Sequence, residues 1–118
     1  VNTKLVFLAV ILQQIINHNK GDSEVIKHIV MWKFMENEEE IMKEFLSGLE
    51  NLRDEIPELV SVQTGININP ANEFNAVLIT EFNTYEDLQS YQKNPKHIAA
   101  ASVGKDKRIA RQAIDFEF

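Results

Sequence analysis

Three side chains in this sequence could take part in acid–base chemistry. Tyr91 and His97 stand in the stretch SYQKNPKHIAA, and His28 stands in VIKHIVMWKF. A neutral imidazole beside a tyrosine hydroxyl can act as a general base or can orient a phenol or carbonyl group. His97, Tyr91 and His28 are therefore candidate catalytic residues. Each also has a structural alternative. His97 could fix the start of a helix, Tyr91 could be a core aromatic residue, and His28 could be a core histidine with its hydrogen bonds satisfied.

The elements that position these residues follow from the hydrophobic pattern. VIKHIVMWKF predicts a strand with His28 on one face. Asn37 is predicted to cap a helix, with Glu40 completing a capping box and Pro57 ending the helix. LVSVQTGININP and FNAVLITEF predict the second and third strands.

The last third of the chain is predicted to hold a second helical region and a final strand. Thr84 is expected to cap a helix that carries Tyr91. Asn94 and Pro95 are expected to begin a further helical turn with His97 in third place, where the positive helix end disfavours a protonated imidazole. RIARQAIDFEF predicts the fourth strand, with Ala110 and every second residue after it on one face.

The order β-α-β-β-α-β predicts an α+β, ferredoxin-like domain with a four-stranded antiparallel sheet and both helices on one face. The other face of the sheet would be apolar and bare, including one face of the second strand. We expect two such sheets to pack face to face in a homodimeric α/β barrel. The predicted interface residues are Ile29, Met31, Val77 and Ile79.

A pocket between sheet and helices is predicted on the face that carries His28. Its apolar walls and few polar groups would suit a small hydrophobic or aromatic molecule. The predicted ligand-binding residues are Val30, Trp32, Phe45, Leu78 and Leu88.

Composition limits the remaining possibilities. The 118 residues carry a formal net charge of −6, and no basic stripe is visible, so we expect no nucleic-acid partner. There is no cysteine, which fits a cytoplasmic location and excludes thiolate chemistry. Three histidines without ligand spacing predict no metal site. The four glycines form no phosphate loop, so no cofactor is expected.

The first 24 residues are predicted to form an apolar helix and a linker, ahead of a main domain at 25–118. The apolar run is too short to span a bilayer, so no membrane partner is expected. Because the helix is apolar all round, a neighbouring chain is expected to cover it. A native helix, a signal-peptide remnant and an added extension all stay open as its origin.

The segments IKHIVMWKF, IPELVSVQTGIN, YQKNPKHI and AIDFEF resemble the stress-responsive α/β-barrel (Dabb) domain family over residues 25–118. The family's early strand histidine is matched by His28. Its Tyr-x-x-His-Pro-x-His segment is matched by Tyr91, Pro95 and His97, with Asn94 in place of a histidine. The resemblance implies a dimeric ferredoxin-like barrel.

The family includes a plant polyketide cyclase, and heme-degrading and quinol-type monooxygenases share the broader fold. The cyclase has a second site histidine on the third strand, where this chain has Ala76. Three hypotheses follow. The protein binds a small hydrophobic molecule; it is a cofactor-independent cyclase, isomerase or monooxygenase; or it is a purely structural oligomer. No reaction can be assigned from the sequence, because proteins that share a fold can catalyse different reactions or none.

Overall fold

The computed structural model describes residues 4, 6, 8–10, 12 and 25–118. The described residues before position 25 are helical, and their apolar side chains are each more than half exposed. The predicted linker lies outside the described residues, so the division into 1–24 and 25–118 stays a prediction. No helix in the described part of the chain is long and apolar enough to cross a membrane.

Four strands and three helices make up the domain, with short 3-10 turns at Leu52–Asp54 and Lys105–Lys107. The strands form one sheet in the order β2-β3-β1-β4, and every neighbouring pair is antiparallel. This is the predicted ferredoxin-like α+β fold. The elements are β1 (Ile26–Phe34), α1 (Glu39–Asn51), β2 (Ser61–Ile66), β3 (Ala76–Phe82), α2 (Tyr85–Lys93), α3 (Pro95–Ser102) and β4 (Arg108–Glu117).

The core lies between the sheet and the helices. Alternate residues of β1 and β3 are buried there, as the period-two pattern of a strand requires. From α1 come Met42, Phe45, Leu46 and Leu49, which repeat at helical spacing. Phe45 packs edge-on against Trp32, with 4.8 Å between ring centroids. The first strand therefore turns its His28 face toward the helices, as predicted.

Two of the three predicted helix caps are present. The Thr84 hydroxyl accepts a hydrogen bond from the Asp87 amide at 3.0 Å, and the Asn94 side chain accepts one from the Lys96 amide at 2.9 Å. Pro95 opens α3 directly after its cap, and its fixed φ suits a first helical position. The α2–α3 break therefore follows from local sequence chemistry, and it places His97 in the first turn of α3.

The predicted cap at Asn37 is wrong. Glu38 precedes the first helical residue of α1 and makes no side-chain cap hydrogen bond, so the capping box with Glu40 is absent. Asn37 instead has a φ of 64°, in the left-handed region that asparagine tolerates better than most residues. The Glu38 carboxylate faces Lys107, 3.7 Å from its ammonium group. The turn ahead of α1 therefore uses asparagine's backbone tolerance instead of its side-chain oxygen.

The sheet face opposite the helices is open and largely apolar. Met31 is 39% exposed, the β4 residues Ile114 and Phe116 are 60% and 37% exposed, and Phe118, directly after β4, is 58% exposed. The prediction that an apolar face of β2 belongs to this open side of the sheet is wrong. Val62 and Ile66 pair with Thr80 and Ala76, so the apolar face of β2 lies on the helix side. The open side of β2 carries Ser61, Gln63 and Gly65.

Candidate functional site

His28 is hydrogen-bonded to a carboxylate on the neighbouring strand. The register pairs His28 with Asp115, and 2.5 Å separates the imidazole Nδ1 from the carboxylate Oδ1. The His28 side chain is 5% exposed, whereas the Asp115 side chain is 36% exposed. A carboxylate on Nδ1 holds the proton on that nitrogen and leaves Nε2 as the acceptor. The pair thus fixes the orientation and the tautomer of a buried imidazole.

The backbone of His28 is also held in place. Thr80 is fully buried on β3 opposite His28, and its hydroxyl donates to the His28 carbonyl oxygen at 3.2 Å. His28 is therefore bonded on both sides: by its backbone to β3 and by its side chain to β4. Because these hydrogen bonds fix the imidazole, it would need little structural rearrangement to accept a proton.

Tyr91 and His97 form the second half of the site. Their ring centroids are 4.3 Å apart, at an interplanar angle of 48°. Tyr91 is fully buried, and its hydroxyl has no hydrogen-bond partner among the residues that the structure describes. Burial raises the pKa of this hydroxyl above its ordinary range, so the group is a proton donor at neutral pH. The two rings are in tilted contact, and the Tyr91 hydroxyl has no partner among the described residues.

His97 is half-buried over Tyr91 and favours its neutral form. Burial is the leading cause that lowers its pKa, a hydrogen bond with the Gln92 carbonyl opposes this, and electrostatic interactions with His28 and Arg111 lower the pKa further. The sequence argument assigned the same direction to the helix end, but the structure gives burial as the leading cause. The register of β4 against β1 places both His28 and Arg111 on the helix side of the sheet.

The helix side of β4 borders this region and is uncovered. Arg111, Ala113 and Asp115 alternate along that side, opposite the buried Trp32, Val30 and His28 of β1. All three β4 residues are exposed, although their β1 partners are not. We call the region between these three β4 residues and the helix residues His97 and Tyr91 the β4 cleft.

The five predicted wall residues lie in the core. Val30, Trp32, Phe45, Leu78 and Leu88 are each at most 5% exposed. They belong to the hydrophobic core, whereas Ala113 and Arg111 are exposed and His97 is half-buried.

Asp115 and Arg111 were missed in the sequence argument. From the sequence, a role was predicted only for the apolar face of β4, from Ala110 to Phe118, and none for the alternate face. A signal was present, because a strand expected to be half-covered by helices carries Arg111 and Asp115 on the covered face. The partner of Asp115 could not be found from this pattern, since the pairing depends on the register of β4 against β1.

A cavity lies at the end of the sheet near the β2–β3 loop. It has a volume of about 580 Å³ and is lined by Met31, Gly65, Phe74, Val77 and residues of the 67–73 loop. Two of its lining residues, Met31 and Val77, belong to the predicted dimer interface. In the described part of the chain, no group of three histidine, cysteine, aspartate or glutamate side chains is placed to hold a metal ion.

Solved structures show the same fold. A dimeric protein of unknown function with a ferredoxin-like fold, from Bacteroides fragilis, is 28% identical; the match covers 84% of this chain and 98% of that one, with a TM-score of 0.77. The hydroxynitrile lyase from Passiflora edulis is 15% identical over 80% of this chain and 93% of its own, with a TM-score of 0.71.

A dimeric ferredoxin-like protein of unknown function from Thermobifida fusca is 21% identical over 80% of this chain and 92% of its own, also with a TM-score of 0.71. No curated protein matches the chain. The family described as the Stress responsive A/B Barrel Domain matches residues 26–118, which contain all of the strands and helices given above. The chain therefore belongs to the stress-responsive α/β-barrel (Dabb) family.

Proposed function

We propose that this protein is a homodimeric α/β-barrel protein that binds a small hydrophobic or aromatic molecule in the β4 cleft. The observation that carries the proposal is the buried Tyr91 hydroxyl, which lacks a hydrogen-bond partner among the described residues. An unsatisfied buried polar group costs about 1–3 kcal/mol, so a ligand that offers an acceptor would recover part of that cost. The His97 ring contacts the Tyr91 ring, which places a second polar side chain beside the hydroxyl-bearing residue.

The proposed dimer uses the open face of the sheet. Ile29, Met31, Val77 and Ile79 lie on that face, together with the exposed apolar residues of β4. A contiguous exposed apolar surface of this kind is typical of a protein–protein interface. The similar proteins from Bacteroides fragilis and Thermobifida fusca are dimeric, which supports the same assembly here. The cytoplasmic location inferred from the absence of cysteine stays a prediction.

Native mass spectrometry of the purified full chain, repeated under denaturing conditions, tests both parts. A mass of two chains plus a small mass that is lost on denaturation is the expected result. A dimer without a releasable mass, and without a change on addition of aromatic compounds, would favour the purely structural oligomer. A monomer would contradict the proposed dimer.

The second candidate is a cofactor-independent enzyme, of cyclase, isomerase or monooxygenase type, with His28, Tyr91 and His97 as catalytic residues. One observation favours it: the short His28–Asp115 hydrogen bond, which leaves His28 Nε2 free to take a proton. The similar structure of the Passiflora edulis lyase shows that the fold is compatible with enzymatic activity. If a turnover assay is found, His97→Ala should lower kcat while ligand affinity is kept; loss of affinity alone would favour the binding role.

A further inference from the structure

We propose that the protein binds a second small molecule, an amine with an apolar body, in the cavity of about 580 Å³ beside the β2–β3 loop, which we call the loop cavity. A volume of this size is typical of sites for small ligands. The inference goes beyond the proposed function, because the loop cavity is not part of the β4 cleft. Its lining residues Met31, Gly65 and Val77 lie on the open face of the sheet, opposite the helices.

The floor of the loop cavity is apolar and contains a gap. Met31, Val77 and Gly65 lie side by side on neighbouring strands, because Val77 is paired with Met31 on one side and with Gly65 on the other. Gly65 has no side chain, and a Cβ atom added there would lie 3.1 Å from Val77 Cγ1. Any other residue at this position would therefore narrow the cavity. Since Phe74 also lines it, the floor suits the apolar body of a ligand.

The loop on the other side of the cavity is held by its own asparagines. The Asn67 side-chain oxygen accepts hydrogen bonds from the Asn69 amide at 3.2 Å and from Asn72 Nδ2 at 3.1 Å. Asn67 Nδ2 donates in turn to the Asn69 carbonyl oxygen at 2.7 Å. Because Asn72 donates through Nδ2, its Oδ1 atom remains an acceptor without a partner among the described residues. The loop thus fixes the orientation of an amide group that lines the cavity.

The carboxylate of Glu73 is the second acceptor at this cavity. Glu73 follows Asn72 in the loop, is exposed, and has no hydrogen-bond or ion-pair partner within the described part of the chain. Among the described residues, no lysine or arginine lines the cavity. An ammonium group carries three N–H donors and a positive charge, and both a carboxylate and an amide oxygen accept from it. The formal net charge of −6 adds a general attraction for cations.

The loop cavity is compatible with the proposed dimer. Met31 and Val77 are predicted partner contacts, but half of the lining residues belong to the β2–β3 loop, beyond the ends of both strands. A partner sheet packed on the strands would cover the apolar floor and leave the polar loop at the mouth of the barrel. The ligand would therefore lie with its apolar body toward the sheet and its ammonium group toward Glu73.

The test is an NMR titration of the full chain with 2-phenylethylamine and with 2-phenylethanol, its neutral analogue of similar shape, followed by the side-chain amide signals of Asn72. The amine should bind about tenfold more tightly than the alcohol, because hydrogen bonds between charged groups are the stronger ones. In Glu73→Gln, which keeps the shape and removes the charge, this preference should fall to about twofold or less. Glu44→Gln is the matched control, since Glu44 is an exposed residue of α1 on the opposite side of the sheet.

Gly65→Ala tests the apolar floor. The added methyl group would narrow the cavity beside Val77, so both probes should bind several-fold more weakly than to the unaltered protein. Dispersed amide signals and an unchanged mass of the assembly would show that fold and association are kept. Unchanged affinity for both probes would contradict the placement of the apolar body over Gly65.

Each remaining outcome overturns a stated part of the proposal. Equal affinity for the two probes would overturn the assignment of an amine, and a preference that survives Glu73→Gln would overturn the role of Glu73. If neither probe moves the Asn72 signals at concentrations up to its solubility limit, the loop cavity is not a ligand site. Binding to Ile79→Glu, in which the dimer is expected to dissociate, but not to the unaltered protein would show that the partner chain fills the cavity. That result would also overturn the proposal, and none of these outcomes depends on a ligand in the β4 cleft.

Discussion

The imidazole of His28 and the carboxylate of Asp115 are 87 positions apart in the chain and 2.5 Å apart in the structure. They join the first strand of the domain to its last. The buried partner is the histidine, and the partner at the surface is the carboxylate. We therefore propose that Asp115 is a positioning residue, which would affect any chemistry of the site through His28.

Replacing Asp115 with alanine should release the His28 ring. We expect a loss of about 1 kcal/mol in the free energy of unfolding, toward the low end of the cost of an unsatisfied buried donor, because Asp115 is partly exposed. The ¹⁵N signals of His28 should change from a fixed Nδ1–H tautomer to a mixture. Asp106→Ala, at an exposed residue of the second 3-10 turn, is the control and should change stability by less than about 0.5 kcal/mol. An unchanged His28 tautomer in Asp115→Ala would contradict the positioning role.

Replacing Tyr91 with phenylalanine should stabilise the ligand-free protein. The substitution keeps the ring in the core and removes a buried hydroxyl that has no partner among the described residues. The expected gain is about 1 kcal/mol, or roughly 4–8 °C in Tm for a domain of this size. Tyr85, the other tyrosine of the chain, is 53% exposed, so Tyr85→Phe is a matched control without a comparable gain. A destabilised Tyr91→Phe would show that the hydroxyl has a partner in solution, such as an ordered water.

The stability of the protein should depend on pH through His97. Burial lowers the pKa of His97 below its unfolded value of 6.5, so the unfolded chain binds the proton more readily. The contribution of His97 to stability is therefore present above pH 6.5 and is lost as the pH falls from there through the folded pKa. Chemical denaturation at several pH values should show a smaller acid-induced loss for His97→Gln than for the unaltered protein. Equal losses in both would mean that His97 titrates alike in the folded and unfolded chains.

Charged substitutions on the open sheet face should dissociate the proposed dimer. Met31→Glu and Ile79→Glu would each place two carboxylates in an apolar interface, and burying such unpaired charges costs several kcal/mol. Light scattering after size-exclusion chromatography should give the mass of one chain. Lys43→Glu, at an exposed residue of α1, is the control and should leave the mass unchanged. If both interface variants keep the mass of two chains, the interface lies elsewhere.

Much of the fold could be predicted because its signals are local. Alternation identified the strands, and the caps at Thr84 and Asn94 follow from side chains that bond to amides two or three residues away. The predicted cap at Asn37 was wrong because asparagine has two common local roles. It can cap a helix with its side chain, or it can adopt a left-handed backbone conformation, as Asn37 does. The residue before the helix, Glu38, instead contacts Lys107, which lies far along the chain.

The site was harder to predict than the fold, because its geometry depends on strand register. His28, Tyr91 and His97 could be proposed from residue type and from the family resemblance. The hydrogen bond to Asp115 and the position of Arg111 beside the cleft depend on how β4 is paired with β1. A shift of one residue in that pairing would turn both side chains to the other face of the sheet, and no local pattern determines it.

The position of β4 at the end of the strand order has a dynamic consequence. It is paired within the sheet only with β1, so its amides should open and exchange with solvent sooner than those of the central strands β1 and β3. Each such opening removes the acceptor of His28 and the guanidinium of Arg111 together. A ligand of the proposed kind, in contact with both β4 and the helices, should therefore slow the exchange of the β4 amides.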